Sequence, residues 1–350
     1  MSIELRTARS GMKNQRTGLL MLISALAWAG CSGSGGSAKP GGRSATGTAS
    51  NEPGVAELET AGASIRTEGP ERTVVGVALT GDHVTDEVLK HLKGLPNLRN
   101  LQIFKSGVTD EGLSELAALT GLQVLNLSGT QVSDAGAAKL KGLSLLQELN
   151  LTSTAITDAG LENLAGLLAL ERLQLSGTAV GDSGMASLSG LTSLKELNLA
   201  ETGITDAGMQ HLAGLTRLES LNLRDTQVGD TGLAFIAAMS DLEKLDLEGT
   251  NVGDAGLEHL SGLTDLVELW LSRTQTGDGG LAHLAGLSEL NEMDVRSTAV
   301  SDAGIVHLHN CKKLTLLHVG NTAVSAKGAK EFRTHVPACY LPPYTGGEDV

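Results

Sequence analysis

The chain repeats itself every 24 residues. An apolar residue opens each unit at Val74, Leu98, Leu122, Leu146, Leu170, Leu194, Leu218, Leu242, Leu266, Leu290 and Leu314, with no insertion or deletion between units. A segment this short cannot bury an apolar face alone, whereas stacked copies hide a continuous core, so the period predicts a solenoid. Hydrophobic residues make up 41% of the chain and aromatics only 2%, as layers of aliphatic side chains require.

Within a unit the chemistry assigns positions. Leu122-Gln-Val-Leu125-Asn-Leu127 ends in period-2 alternation, which predicts a short strand with Leu inward and Val124, Asn126 and Ser128 outward. Thr130, Thr154, Thr178, Thr202, Thr226, Thr250, Thr274, Thr298 and Thr322 follow each strand, with Ser106 in the same column. They are read as a hydroxyl ladder satisfying backbone groups where the strand turns away. Aspartates run from Asp86, Asp110 and Asp134 to Asp302, each before a Leu-x-x-Leu spacing of two to three helical turns. A carboxylate there is expected to cap free N–H groups at the helix start. One Asp per layer does not converge on a point, so calcium is not expected. Gly136, Gly160 and Gly184 mark a column that lets neighbouring turns approach. His91, His211, His259, His283 and His307 share a helix column whose spacing is too wide for one zinc ion.

The combined pattern L-x-x-L-x-L-x-x-T-x-V/I-x-D-x-G-L-x-x-L-x-x-L resembles the leucine-rich repeat family over residues 74–337. The fold class expected is α/β: a right-handed solenoid with a parallel concave sheet and helices on the convex face. This scaffold carries unrelated binding tasks, so the resemblance implies a fold and no specific partner. Similar repeats in eukaryotic F-box proteins select substrates for ubiquitin ligases. No F-box-like helical region is evident here, and the N-terminus opposes that reading.

Residues 1–30 read as an export signal. Arg6, Arg9, Lys13 and Arg16 precede an apolar run from Gly18 to Gly30, too short to span a bilayer as a helix. Met1 and Met12 both remain possible starts. Ala29-Gly30-Cys31 resembles the end of a bacterial lipoprotein box, making Cys31 the lipidated residue, although Trp28 stands where that family usually has Leu. Ala27-Trp28-Ala29 alternatively fits ordinary secretion. Residues 31–52 form a Gly/Ser-rich tether expected to be disordered. Residues 53–73 are expected to cap the array with a short helix and a hairpin, and residues 338–350 to close it, with Tyr340 and Leu341 covering the last layer. The pairing of Cys311 with Cys339 stays open.

The formal charge is −14, and −17 without residues 1–30, which hold four basic residues and one acidic one. That balance opposes nucleic acid and anionic membrane surfaces as partners; membrane contact is expected through the lipid anchor only. No nucleophile motif, phosphate loop, zinc spacing or dinucleotide fingerprint occurs, so no catalytic residue, metal or cofactor is assigned. The outward strand positions then carry function. Asn and Gln run from 102 to 222 down their middle column, read as a side-chain amide ladder. Trp270 follows, ringed by Asp246, Asp294, Glu268 and Glu292, and the columns beside it on the same face include Phe104, Arg172, Arg224, Lys244 and Arg296. An exposed Trp among charges has the composition of a binding hot spot, here suited to a basic peptide or cationic ligand. The expectation is a monomeric, non-catalytic module binding an unknown protein or peptide in the bacterial cell envelope. The alternative is a structural envelope component that assembles with its own copies.

Overall fold

The computed structural model describes residues 52–342. The export signal, Cys31, the tether as far as residue 51 and the tail from Pro343 lie outside the described residues. Twelve strands form one open sheet whose spatial order is the chain order. They are β1 (Ser64–Glu68), β2 (Thr73–Gly81), β3 (Asn100–Ser106), β4 (Val124–Asn126), β5 (Glu148–Asn150), β6 (Arg172–Gln174), β7 (Glu196–Asn198), β8 (Ser220–Asn222), β9 (Lys244–Asp246), β10 (Glu268–Trp270), β11 (Glu292–Asp294) and β12 (Leu316–His318). The hairpin β1–β2 is antiparallel, and every later pairing is parallel with equivalent residues of successive units opposite one another.

Many return segments begin as α-helix and tighten before a third turn, although Asp134–Leu140 and Ala326–His335 stay α-helical throughout. Asp206–Met209 is α-helical and Gln210–Leu212 continues as a 3-10 helix. The cause is visible in the spacing of Met209, Leu212, Leu215 and Leu218, which is three residues throughout. Three residues per turn is the 3-10 period; beyond the helix, the Leu215 N–H donates to the Leu212 carbonyl and the Leu218 N–H to the Leu215 carbonyl, and all four side chains are fully buried. Together with inward strand residues such as Leu125 and Leu221, they build one uninterrupted core.

The turn after each strand obeys a rule that the sequence pattern did not expose. The residue before the Thr column is left-handed in every repeat: glycine at Gly81, Gly129, Gly177 and Gly249, and otherwise Lys105, Ser153, Glu201, Asp225, Arg273, Ser297 and Asn321. The Thr hydroxyl then donates to the carbonyl three residues back, as Thr130 does to Leu127 at 2.6 Å and Thr322 to Val319 at 2.6 Å. The same bond is made by Thr154, Thr178, Thr202, Thr226, Thr250, Thr274 and Thr298. Ser106 departs from the column: its buried Oγ makes no hydrogen bond.

The Asp column also needs correction. Each Asp except Asp110 is the first helical residue, and every carboxylate in the column reaches forward to the next repeat rather than capping its own helix. Asp134 Oδ1 accepts the Thr157 N–H at 2.8 Å and Oδ2 accepts the Thr157 hydroxyl at 2.6 Å. The same inter-repeat N–H bond runs from Asp86 to Asp302. Capping falls instead to the preceding hydroxyl residue, as when Thr157 Oγ1 accepts from the Ala159 N–H.

At the C-terminal end, Tyr340 exchanges backbone hydrogen bonds with Thr315 and Leu317, extending the sheet edge by one bridge. Leu341 is buried as expected, but the Tyr340 ring points to solvent. Cys311 and Cys339 are both buried and free, so no disulfide locks this cap.

Candidate interaction surface

The first and third residues of the three-residue strands form the outer strand face and are half-buried, except the buried Asp294 of β11, while the middle residue is buried. Parallel register sets Trp270 between Asp246 and Asp294, and Glu268 between Lys244 and Glu292. Phe104 lies far along the same sheet on β3 and is half-buried.

The middle outward column is not an amide ladder. Asn126, Asn150, Asn198 and Asn222 turn Oδ1 onto the N–H two residues ahead, at 2.9 to 3.0 Å. Asp246 and Asp294 do the same to Glu248 and Arg296 at 3.0 and 2.9 Å. This Asx bond ends the strand locally, which is why Asn and Asp interchange in the column. Spacing between repeats could not have shown it, because the partner lies within the same repeat.

Most of the charges on this face are already paired. Arg172 binds Glu148 across one repeat, and Lys244 Nζ lies 2.7 Å from Glu268 Oε1. Arg224 reaches Glu248 at 3.1 Å and Asp225 at 3.1 Å. Arg273 meets Glu248 at 3.2 Å and spans two repeats to Asp225 at 2.8 Å, passing over Gly249, where a Cβ would collide with both partners. Burial alone would raise the Asp225 pKa, but hydrogen bonds from Arg224 and Arg273 hold it below the usual carboxylate range.

Asp294 departs most from its expected role. It is 1% exposed, and Arg296 donates to both its oxygens at 2.6 to 3.0 Å, so it supports Arg296 rather than offering itself to a partner. Glu292 lies 3.8 Å from His318 Nε2. Asp246 is different: among the described residues no cation lies within ion-pairing distance, and burial raises its pKa. Trp270 is half-buried rather than fully exposed. No cluster of three or more His, Cys, Asp or Glu suited to a metal occurs among the described residues, the column from His211 to His307 included.

An open parallel sheet backed by short helices, with each repeat clamped to the next, defines an α/β solenoid of stacked repeats. Its repeats match the leucine-rich repeat family model at residues 94–117, 119–141, 142–165, 169–189, 190–213, 215–237 and 238–261, and these repeats are leucine-rich repeats. Among solved structures it resembles an internalin from Listeria monocytogenes, at 20% identity and a TM-score of 0.60, over 83% of this chain and 93% of that one. A leucine-rich repeat protein of Leptospira interrogans aligns at 16% identity and a TM-score of 0.42, over 79% and 93%. No curated protein matches the chain in sequence. The likeness to the internalin is one of fold.

Proposed function

We propose that this chain is a non-catalytic protein-binding module, tethered in the bacterial cell envelope through a lipidated Cys31 and engaging its partner on the strand face. Leucine-rich repeat folds generally serve protein–protein interaction. The observation that carries the reading here is Trp270: a large indole on the outer strand face, where its own fold prefers a small residue that makes an Asx bond. Rigid amphipathic aromatics bring contact area at low entropic cost, and Trp leads the residue types that dominate interface energies.

Photo-crosslinking in native envelopes, from probes placed at Arg172 and Arg224, tests this. The wild-type chain should yield a reproducible adduct that Trp270→Ala removes. An unchanged adduct pattern together with concentration-dependent self-association would instead support a structural envelope component. Separately, Cys31→Ser should move the protein from the membrane to the soluble fraction; retention on membranes would defeat the anchoring proposal.

A further inference from the structure

The ninth repeat, which opens at Leu266, breaks the solenoid's own rules at several places within seven residues. Trp270 has no side-chain acceptor and so forgoes the Asx bond made on both flanking strands. Ser272 Oγ is buried, at 3% exposure for the residue, and has no hydrogen-bond partner. Thr276 is fully buried in a column otherwise filled by Val132, Ile156, Val180, Ile204, Val228, Val252 and Val300, and its hydroxyl is left to share a bond with Thr274 at 2.9 Å. None of these choices helps the stack, and local departures that cost stability gather where function demands them.

We infer that Trp270 and Asp246 form a receptor for one arginine side chain of a protein partner, its guanidinium lying on the indole and donating to the carboxylate. The inference rests on the strand-face reading above and adds the ligand's chemistry. Register places Asp246 directly beside Trp270. One oxygen of Asp246 is engaged by the Glu248 N–H, which leaves Oδ2 to accept. The neighbouring cations are engaged elsewhere: Lys244 is held by Glu268, Arg224 by Asp225 and Glu248, Arg296 by Asp294, and Arg273 by Asp225 and Glu248, so Arg224 acts on Asp246 only at a distance. A half-buried carboxylate that no cation among the described residues contacts directly gains more from an incoming cation than an exposed one does. Arginine fits better than lysine because its planar fork can stack on an aromatic face while donating sideways. Ser272, in the turn that follows Trp270, keeps a buried hydroxyl without a hydrogen-bond partner.

Calorimetric titration of the full chain with a capped Gly-Gly-Arg-Gly-Gly peptide, and with the same peptide carrying citrulline, tests the receptor. Saturable binding of the arginine peptide is expected, at least about tenfold tighter than citrulline. Asp246→Asn is the decisive variant, since Asn makes the same Asx bond in four other repeats; it should melt like wild type and bind about tenfold more weakly. Trp270→Asn should lose binding. Equal binding of the two peptides, an unaffected Asp246→Asn variant, or no binding by wild type would each overturn the receptor. If any of these occurs while Trp270-dependent crosslinking persists, the strand-face reading stands and only the arginine chemistry falls.

Discussion

A glycine recurs three residues into each helical segment because the preceding repeat's aspartate occupies the space a Cβ would need. At Gly256 that Cβ would lie 2.6 Å from Asp230 Oδ1 and 3.0 Å from the Asp230 Cα. Val88 stands in the same column without difficulty, since its repeat is the first and no clamping aspartate precedes it. Gly256→Ala should therefore cost about 1–3 kcal/mol in urea unfolding, the range for overpacking. Adding Asp230→Ala should recover part of the loss, a coupling that a double-mutant cycle would detect. Additive losses would mean that the glycine serves the backbone and not the clamp. The ninth repeat predicts the opposite sign. Thr276→Val restores the apolar column and should stabilise by about 1 kcal/mol, and Trp270→Asn restores an Asx bond worth about 0.5–1.5 kcal/mol while abolishing arginine binding. If either variant lowers the melting temperature, the repeat's departures are structural after all.

The return elements show what spacing can reveal and what it hides. Leucines three residues apart in Leu-x-x-Leu-x-x-Leu were legible as a short helix, and the strand alternation placed Trp270 beside Asp246 and Asp294. The direction in which Asp134 reaches was not legible, because its partner Thr157 is 23 residues ahead, and only the stacked geometry brings them together. Nor could the sequence show that Asp294 is sunk beneath Arg296, since both acids flanking Trp270 occupy equivalent columns. The helix starts themselves suggest an improvement. Gly181, Gly229, Gly253 and Gly277 receive the backbone half of the aspartate clamp but lack the hydroxyl half that Ser133, Thr157, Thr205 and Ser301 supply. At Gly253 the backbone is extended, and a Cβ would meet nothing closer than 3.7 Å. Gly253→Ser should thus add a bond to Asp230 Oδ2 and an N-cap for the Ala255 N–H, stabilising by about 0.5–2 kcal/mol. A melting temperature unchanged or lower than wild type would show that the hydroxyl cannot reach the carboxylate.

Across the whole array, each repeat touches its neighbours and little else, so stability is a sum of units and interfaces, and the ends have one interface fewer. Two buried thiols report on that C-terminal end. Cys311 replaces the leucine of its column, and burial pushes its pKa up to about 11; Cys339, behind the final helix Ala326–His335, is pushed to about 12. Since the thiolate is the reacting species and an unfolded cysteine titrates near pKa 8.5, alkylation at pH 8 requires local opening. In urea below the unfolding midpoint, Cys339 should be alkylated before Cys311, because the final helix and the one-residue bridge at Tyr340 can fray while the layer holding Cys311 stays packed. Mass spectrometry of the two tryptic peptides separates the sites. Loss of both thiols at a single rate would mean that the last repeats and their cap open as one cooperative block, with the nearest-neighbour bonds between aspartate and the following repeat strong enough to suppress fraying.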